Sequence, residues 1–122
     1  MSKAQWIAEN LKTGEIYAGL ILGEDDAPDH HLILLPGEAE EVTFKNAQAW
    51  AKKQGGDLPT RREQSMLFAN CKAQFKPAWY WSCEVHEKDA SCAWGQLFLS
   101  GYQDYGHVYG EWRARAVRRL II

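Results

Sequence analysis

The chain has 122 residues, 46% hydrophobic and 25% charged, the length and make-up of one globular domain with its own core. Its formal net charge of -2 lacks the basic footprint of a direct nucleic-acid binder. No apolar run approaches membrane-spanning length, and the opening Met1-Ser-Lys-Ala-Gln-Trp lacks the apolar stretch of a secretory leader, so a cytoplasmic protein is expected.

The first element in chain order is residues 5–11, which read as a strand, followed by a turn at Lys12-Thr13-Gly14. Residues 15–22 and 30–35 are apolar, β-leaning runs, the second ended by Pro36-Gly37. The acidic segment between them, residues 24–29, is a loop by composition. Residues 5–36 therefore read as an N-terminal antiparallel hairpin unit.

The period then changes. Thr43 can cap a helix that shows Phe44, Ala47, Trp50 and Ala51 on one side, with Gly55-Gly56 at its end. Thr60 and Glu63 have the spacing of a capping box, and Leu67, Cys71 and Phe75 line one face of the helix it would start, up to Pro77.

Period two follows: Trp79, Trp81 and Cys83 alternate with Tyr80 and Ser82. Residues 93–99 are a strand candidate, Ser100-Gly101 a turn, and residues 114–122 a closing strand. Strands, two helices and then strands predict an α+β domain over residues 1–122, with one antiparallel sheet system and its helices packed to one side.

Charge is unevenly placed. Residues 1–60 hold five basic and ten acidic side chains, and residues 61–122 nine and six, which predicts salt bridges within the domain. The three cysteines, Cys71, Cys83 and Cys92, are an odd count and are expected to be free, buried thiols.

No constellation makes a strong case for catalysis. Cys83 with His86 or His107 is the only nucleophile–base candidate. His30 and His31, beside Glu24, Asp25, Asp26 and Asp29, are the only metal-like cluster, but neighbouring strand residues point to opposite faces. No glycine-rich phosphate loop is present, and no cofactor or metal is expected. The informative segment is residues 102–113. Tyr102, Tyr105, His107, Tyr109 and Trp112 stand close together, with Gln103, Asp104, Glu111 and Arg113 among them. Aromatic side chains of this kind give large contact area at little entropic cost, so Tyr102, Tyr105, His107, Tyr109, Trp112 and Arg113 form the candidate ligand-binding set. The competing reading is a hairpin whose aromatics cover the sheet.

An ordered series of short motifs runs through residues 43–122: Leu58-Pro59-Thr60 with Glu63, Trp79-Tyr80-Trp81-Ser82, Ala93-Trp94, Gly101 and Arg115-Ala116-Val117-Arg118. This series resembles the DUF1566 family of unknown function, which includes the C-terminal domain of a bacterial collagen-like adhesin and small proteins of Mu-like prophages. The phrase Leu-Pro-Thr-x-x-Glu is also similar to formylglycine-generating enzymes, although their catalytic cysteine segment has no counterpart here. The resemblance implies a C-type-lectin-like fold, with two helices on a twisted, mostly antiparallel sheet and paired chain ends. It gives Trp81 and Trp94 buried roles, has Arg115 and Arg118 lock loops or pair with carboxylates such as Glu63, and places the binding surface on the C-terminal part of the sheet.

The combined expectation is a non-enzymatic recognition module, phage- or prophage-encoded, that binds a host protein or a surface or small ligand. The alternative is an anti-defence accessory protein that blocks a bacterial immune effector, as an anti-CRISPR does, or sequesters its signal. An enzyme ranks last. Virion association and, by analogy with the adhesin, self-association are compatible with the resemblance.

Overall fold

The computed structural model describes residues 1–122. The elements are α1 (Lys3–Asn10), β1 (Ile16–Ile21), β2 (His30–Leu34), β3 (Ala39–Val42), α2 (Phe44–Lys53), α3 (Arg61–Cys71) with a 3-10 turn at Lys72–Gln74, β4 (Trp79–His86), β5 (Asp89–Leu97), β6 (Tyr102–His107), β7 (Trp112–Ala114) and β8 (Val117–Ile121). The protein is α+β, with three helices and two mostly antiparallel sheets.

Residues 5–11 are not a strand. Residues 5–10 belong to α1 and Leu11 is its C-cap, and a reciprocal capping box starts the helix: the Gln5 N–H donates to Ser2 Oγ at 3.1 Å, and the Ser2 N–H donates to Gln5 Oε1 at 2.9 Å. Two orphan donors satisfied within three residues outweigh the weak β pattern. Helix α1 buries no residue fully, and Trp6 anchors it by packing 5.0 Å from Tyr17 and 4.4 Å from His31.

The hairpin of β1 and β2 forms as expected, in antiparallel register from Ile16↔Leu34 to Ile21↔His30. Strand β8 joins it on the far side of β2, so the small sheet has the order β1-β2-β8. The closing strand therefore pairs with β2 and not with the first strand. The large sheet has the order β3-β7-β4-β5-β6, antiparallel except where β7 runs parallel to β4 at Tyr80↔Arg113.

One expected sheet is thus two, and the chain passes from one to the other at Arg115. This residue interrupts the predicted closing strand, donating from Nη1 to the Gln74 carbonyl at 2.7 Å and from Nη2 to the Leu35 carbonyl at 2.9 Å. Those bonds fix a crossing point where the chain leaves β7 of the large sheet for β8 of the small one. Strand β3 shows no apolar alternation, because its middle is Glu40-Glu41 and Glu41 has a positive φ of 47°.

The helices also do not share one side. Tyr80 and Trp81 are adjacent on β4, so they face opposite ways. Trp81 packs with Phe44, Ala47 and Ala51 of α2, whereas Tyr80 packs with Leu67 and Cys71 of α3. Strand β4 is sandwiched, and Tyr80, Trp81 and Ser82 are all buried. Burying the rings of Tyr80 and Trp81 stabilises by roughly 2–3 kcal/mol apiece.

Both predicted helix starts hold. Thr43 Oγ1 accepts from the Asn46 N–H, and Thr60 Oγ1 accepts from the Glu63 N–H at 3.1 Å while Glu63 Oε1 accepts from the Thr60 N–H at 2.8 Å. Thr60→Ala is expected to cost about 1 kcal/mol through loss of the cap. A urea midpoint equal to wild type would show that the hydroxyl contributes nothing to the start of α3.

Candidate binding surface on the edge strand

Strand β6 is the last strand of the large sheet and pairs only with β5, in unbroken register from Cys92↔His107 to Leu97↔Tyr102. Just beyond it, the Val108 N–H donates to the Ser91 carbonyl at 2.8 Å. Antiparallel ladders alternate, so residues 102, 104 and 106 turn their backbone groups to β5 while 103, 105 and 107 turn theirs outward. The strand contains no Lys, Pro or bulge, the usual guards of an open edge. Two of its outward groups are covered locally: Asp104 Oδ1 accepts from the Tyr105 N–H at 2.8 Å, and the His107 carbonyl accepts from the Gly110 N–H at 2.8 Å.

The other sheet edges are each at least partly covered or irregular. Strand β1 has an irregularity at Tyr17/Gly19, and Asn70 of α3 donates to the Ala18 carbonyl at 2.7 Å. Strand β3 is short, charged and irregular. Strand β8 is met at its first residue only, where Asp57 forms a bridge with Val117.

The predicted site residues separate according to the pleat. Tyr102 lies on one face, its ring 6.2 Å from Trp79. The same face carries Trp112, stacked on Trp79 at 5.0 Å and tilted against Trp81 at 4.2 Å. Trp112 fits there because Gly95 and Gly106 lack side chains: a Cβ at Gly106 would sit 2.8 Å from the indole, and one at Gly95 would meet both the indole and the Tyr80 carbonyl. Trp112 is therefore half-buried structure between strands. Arg113 turns to Glu38 at 2.8 Å and Glu40 at 3.3 Å, and Glu38 also accepts from the Tyr80 hydroxyl.

Tyr105 lies on the opposite face, 4.3 Å from His86 and 5.3 Å from Trp94. His107 and Tyr109 sit at the far end of β6, with rings 5.2 Å apart, and the Tyr109 N–H donates to His107 Nδ1 at 3.2 Å. Tyr102, Tyr105 and Tyr109 are 60%, 48% and 80% exposed, so much of their ring area faces water on both sides of one open edge.

Sequence reasoning missed His86 and Arg61 as neighbours of this surface. Trp94 is half-buried; Arg61 lies over its ring at 3.6 Å, and Glu87 accepts from its Nε1–H at 3.1 Å. The spacing of Arg61 and Trp94 in sequence carries no signal for that contact.

The remaining ionisable groups are mostly consumed by structure. Glu63 is fully buried, and its carboxylate takes two hydrogen bonds from Arg119, both at 2.7 Å, and contacts His30 Nε2 at 2.7 Å. Arg115 and Arg118, expected to lock loops or pair with carboxylates such as Glu63, bond carbonyls and Glu15 respectively, while Glu63 itself is held by Arg119. Neighbours on β8 face opposite ways, so Arg118 instead holds Glu15 with bonds of 2.7 and 2.9 Å. His31 bonds the Tyr17 hydroxyl on the face away from His30. No group of three His, Cys, Asp or Glu is placed to hold a metal ion. The three cysteines are free. Burial pushes the Cys83 thiol up to about 11, against the direction a nucleophile needs, and neither His86 nor His107 bonds it. No helix is long and apolar enough to cross a membrane.

No family model matches the sequence, and no curated protein matches it either.

Proposed function

We propose that the protein is a non-enzymatic recognition module that binds a protein partner along β6, using Tyr102, Tyr105 and Tyr109 as anchors. The observation that carries this reading is the coincidence of exposed tyrosines with a regular edge strand that pairs on one side only and holds no Lys, Pro or bulge. An added strand would pair with the outward main-chain groups of Gln103 and Tyr105, displacing Asp104 from the Tyr105 N–H, and the tyrosines on either face would grip its side chains. Rigid aromatic anchors of this kind supply most of the affinity at protein interfaces.

The same reading adopts a C-type-lectin-like fold of the DUF1566 type in a phage or prophage protein with a host target. It is supported by the capping box at Thr60 and Glu63, the buried Trp81, and the arginines of residues 115–118 that tie loops together.

The test uses immobilised protein to capture a partner from bacterial extract, followed by titration of the purified partner. Tyr105→Ala combined with Tyr109→Ala, in protein whose thermal melt is intact, is expected to weaken that binding roughly tenfold or more. Equal affinity of the folded double variant would move the site away from β6.

A further inference from the structure

A cleft of about 580 Å³ opens beside the N-terminal turn of α3, within the size range of small-molecule sites. Most of its charged groups are paired. Arg62 and Glu24 form an ion pair at 3.0 Å, and His30 is committed to Glu63. Arg61 and Glu84 are different.

Arg61 is the one arginine of the chain that neither pairs with a carboxylate nor spends its terminal nitrogens on carbonyls. Its Nε donates to Gln103 Oε1 at 3.1 Å, its plane rests on Trp94, and its two terminal nitrogens donate to nothing in the protein. Gln103 is in turn locked by bonds to the Arg61 carbonyl at 2.8 Å and to Gln96 Oε1 at 2.9 Å. The guanidinium fork is thus held ready for a planar oxyanion, with little rotamer entropy left to lose.

Glu84 lines the same cleft. One of its oxygens accepts from the Arg61 N–H at 2.7 Å, and the other takes no hydrogen bond. It makes no ion pair with Arg61, because Gln103 and Trp94 hold the guanidinium elsewhere. One cleft therefore offers a fixed cation and a fixed anion that do not neutralise each other. A dianionic phosphate would be repelled by Glu84, and a simple cation by Arg61.

We propose that this cleft binds a small zwitterion, a free α-amino acid or a dipeptide, with its carboxylate on the Arg61 fork and its ammonium on Glu84. The proposal does not rest on the edge-strand reading, because none of the exposed tyrosines lines the cleft.

The test is NMR titration of the intact chain, following the Arg61 Nε–H and Trp94 Nε1–H signals. The probes are L-alanine and L-alanyl-L-alanine, with sodium acetate and methylammonium chloride as single-charge controls. At least one zwitterion is expected to shift both signals saturably, with each control binding roughly tenfold more weakly or worse. Whichever zwitterion saturates identifies the length of ligand. Glu84→Gln keeps an acceptor for the Arg61 N–H but removes the charge, and is expected to weaken binding about tenfold. Arg61→Met provides the same test from the other side should Glu84→Gln fail to fold. No saturation by either zwitterion at concentrations on the order of tens of millimolar would overturn the proposal, as would acetate binding equally well or a folded variant binding like wild type.

Discussion

Glu63→Ala is expected to destabilise the protein by about 3–5 kcal/mol, the usual cost of removing one partner from a buried ion pair. Glu63 is 0% exposed and ties three elements together: the Thr60 N–H at the start of α3, His30 on β2 and Arg119 on β8. The substitution leaves Arg119 with only Asp57 at 3.3 Å and the Leu58 carbonyl at 3.2 Å, and opens a cavity. Urea denaturation at neutral pH measures the loss, and a loss below roughly 1 kcal/mol would mean that the network is not a structural keystone.

The same carboxylate makes the stability depend on pH. Burial pushes its pKa up, but the Arg119 hydrogen bonds, the Thr60 N–H and the Arg119 charge pull it further down, below the ordinary value of 4.5. A group with a depressed folded pKa contributes stability that is fully present above its unfolded value and is lost as pH falls through the folded one. Wild type should therefore lose stability below pH 4.5, and Glu63→Ala should show a shallower acid slope. Glu15, held low chiefly by its hydrogen bonds from Arg118, keeps part of the slope in both proteins.

Trp81→Ala is expected to cost about 3–5 kcal/mol, the range for truncating a buried aromatic. Trp81 is 1% exposed, donates from Nε1 to the Val42 carbonyl at 2.8 Å, and meets Phe44 edge-on at 5.5 Å. Removing it takes away the partner of α2, leaves a carbonyl without its donor, and strips one side from Trp112. The near-ultraviolet circular dichroism of the coupled indoles should change along with the denaturation midpoint. An unchanged spectrum and midpoint would rule out Trp81 as the centre of this core.

How far the candidate site could be read in advance follows from the same geometry. The crowding of Tyr102, Tyr105, His107, Tyr109 and Trp112 was enough to expect exposed aromatics, because strand side chains alternate and cannot all be buried on one face. Tyr102, Tyr105 and Tyr109 are exposed as that argument requires. Trp112 and Arg113 were read with them but belong to another strand, where neighbouring indoles and the carboxylates of Glu38 and Glu40 occupy them. The Arg61–Trp94 contact had no signal at all, since it joins a helix start to a strand through tertiary packing alone.

What the sequence determined by itself is what closes over a few residues. The caps at Thr43 and Thr60, the turn at Ser100-Gly101 and the hairpin of β1 and β2 are each satisfied locally, and their residue types state the requirement directly. The capping box at Ser2 and Gln5 is equally local, although residues 5–11 read as a strand. Only the tertiary structure decided the division into two sheets, the exposure of β6 and the partner of each arginine. Arg119 reaches Glu63 across 56 residues of sequence, and Arg118 reaches Glu15 across 103. At such separations composition says only that a cation will seek an anion. Which of two adjacent arginines finds which carboxylate depends on the pleat of β8, and a one-residue change of register exchanges its two faces.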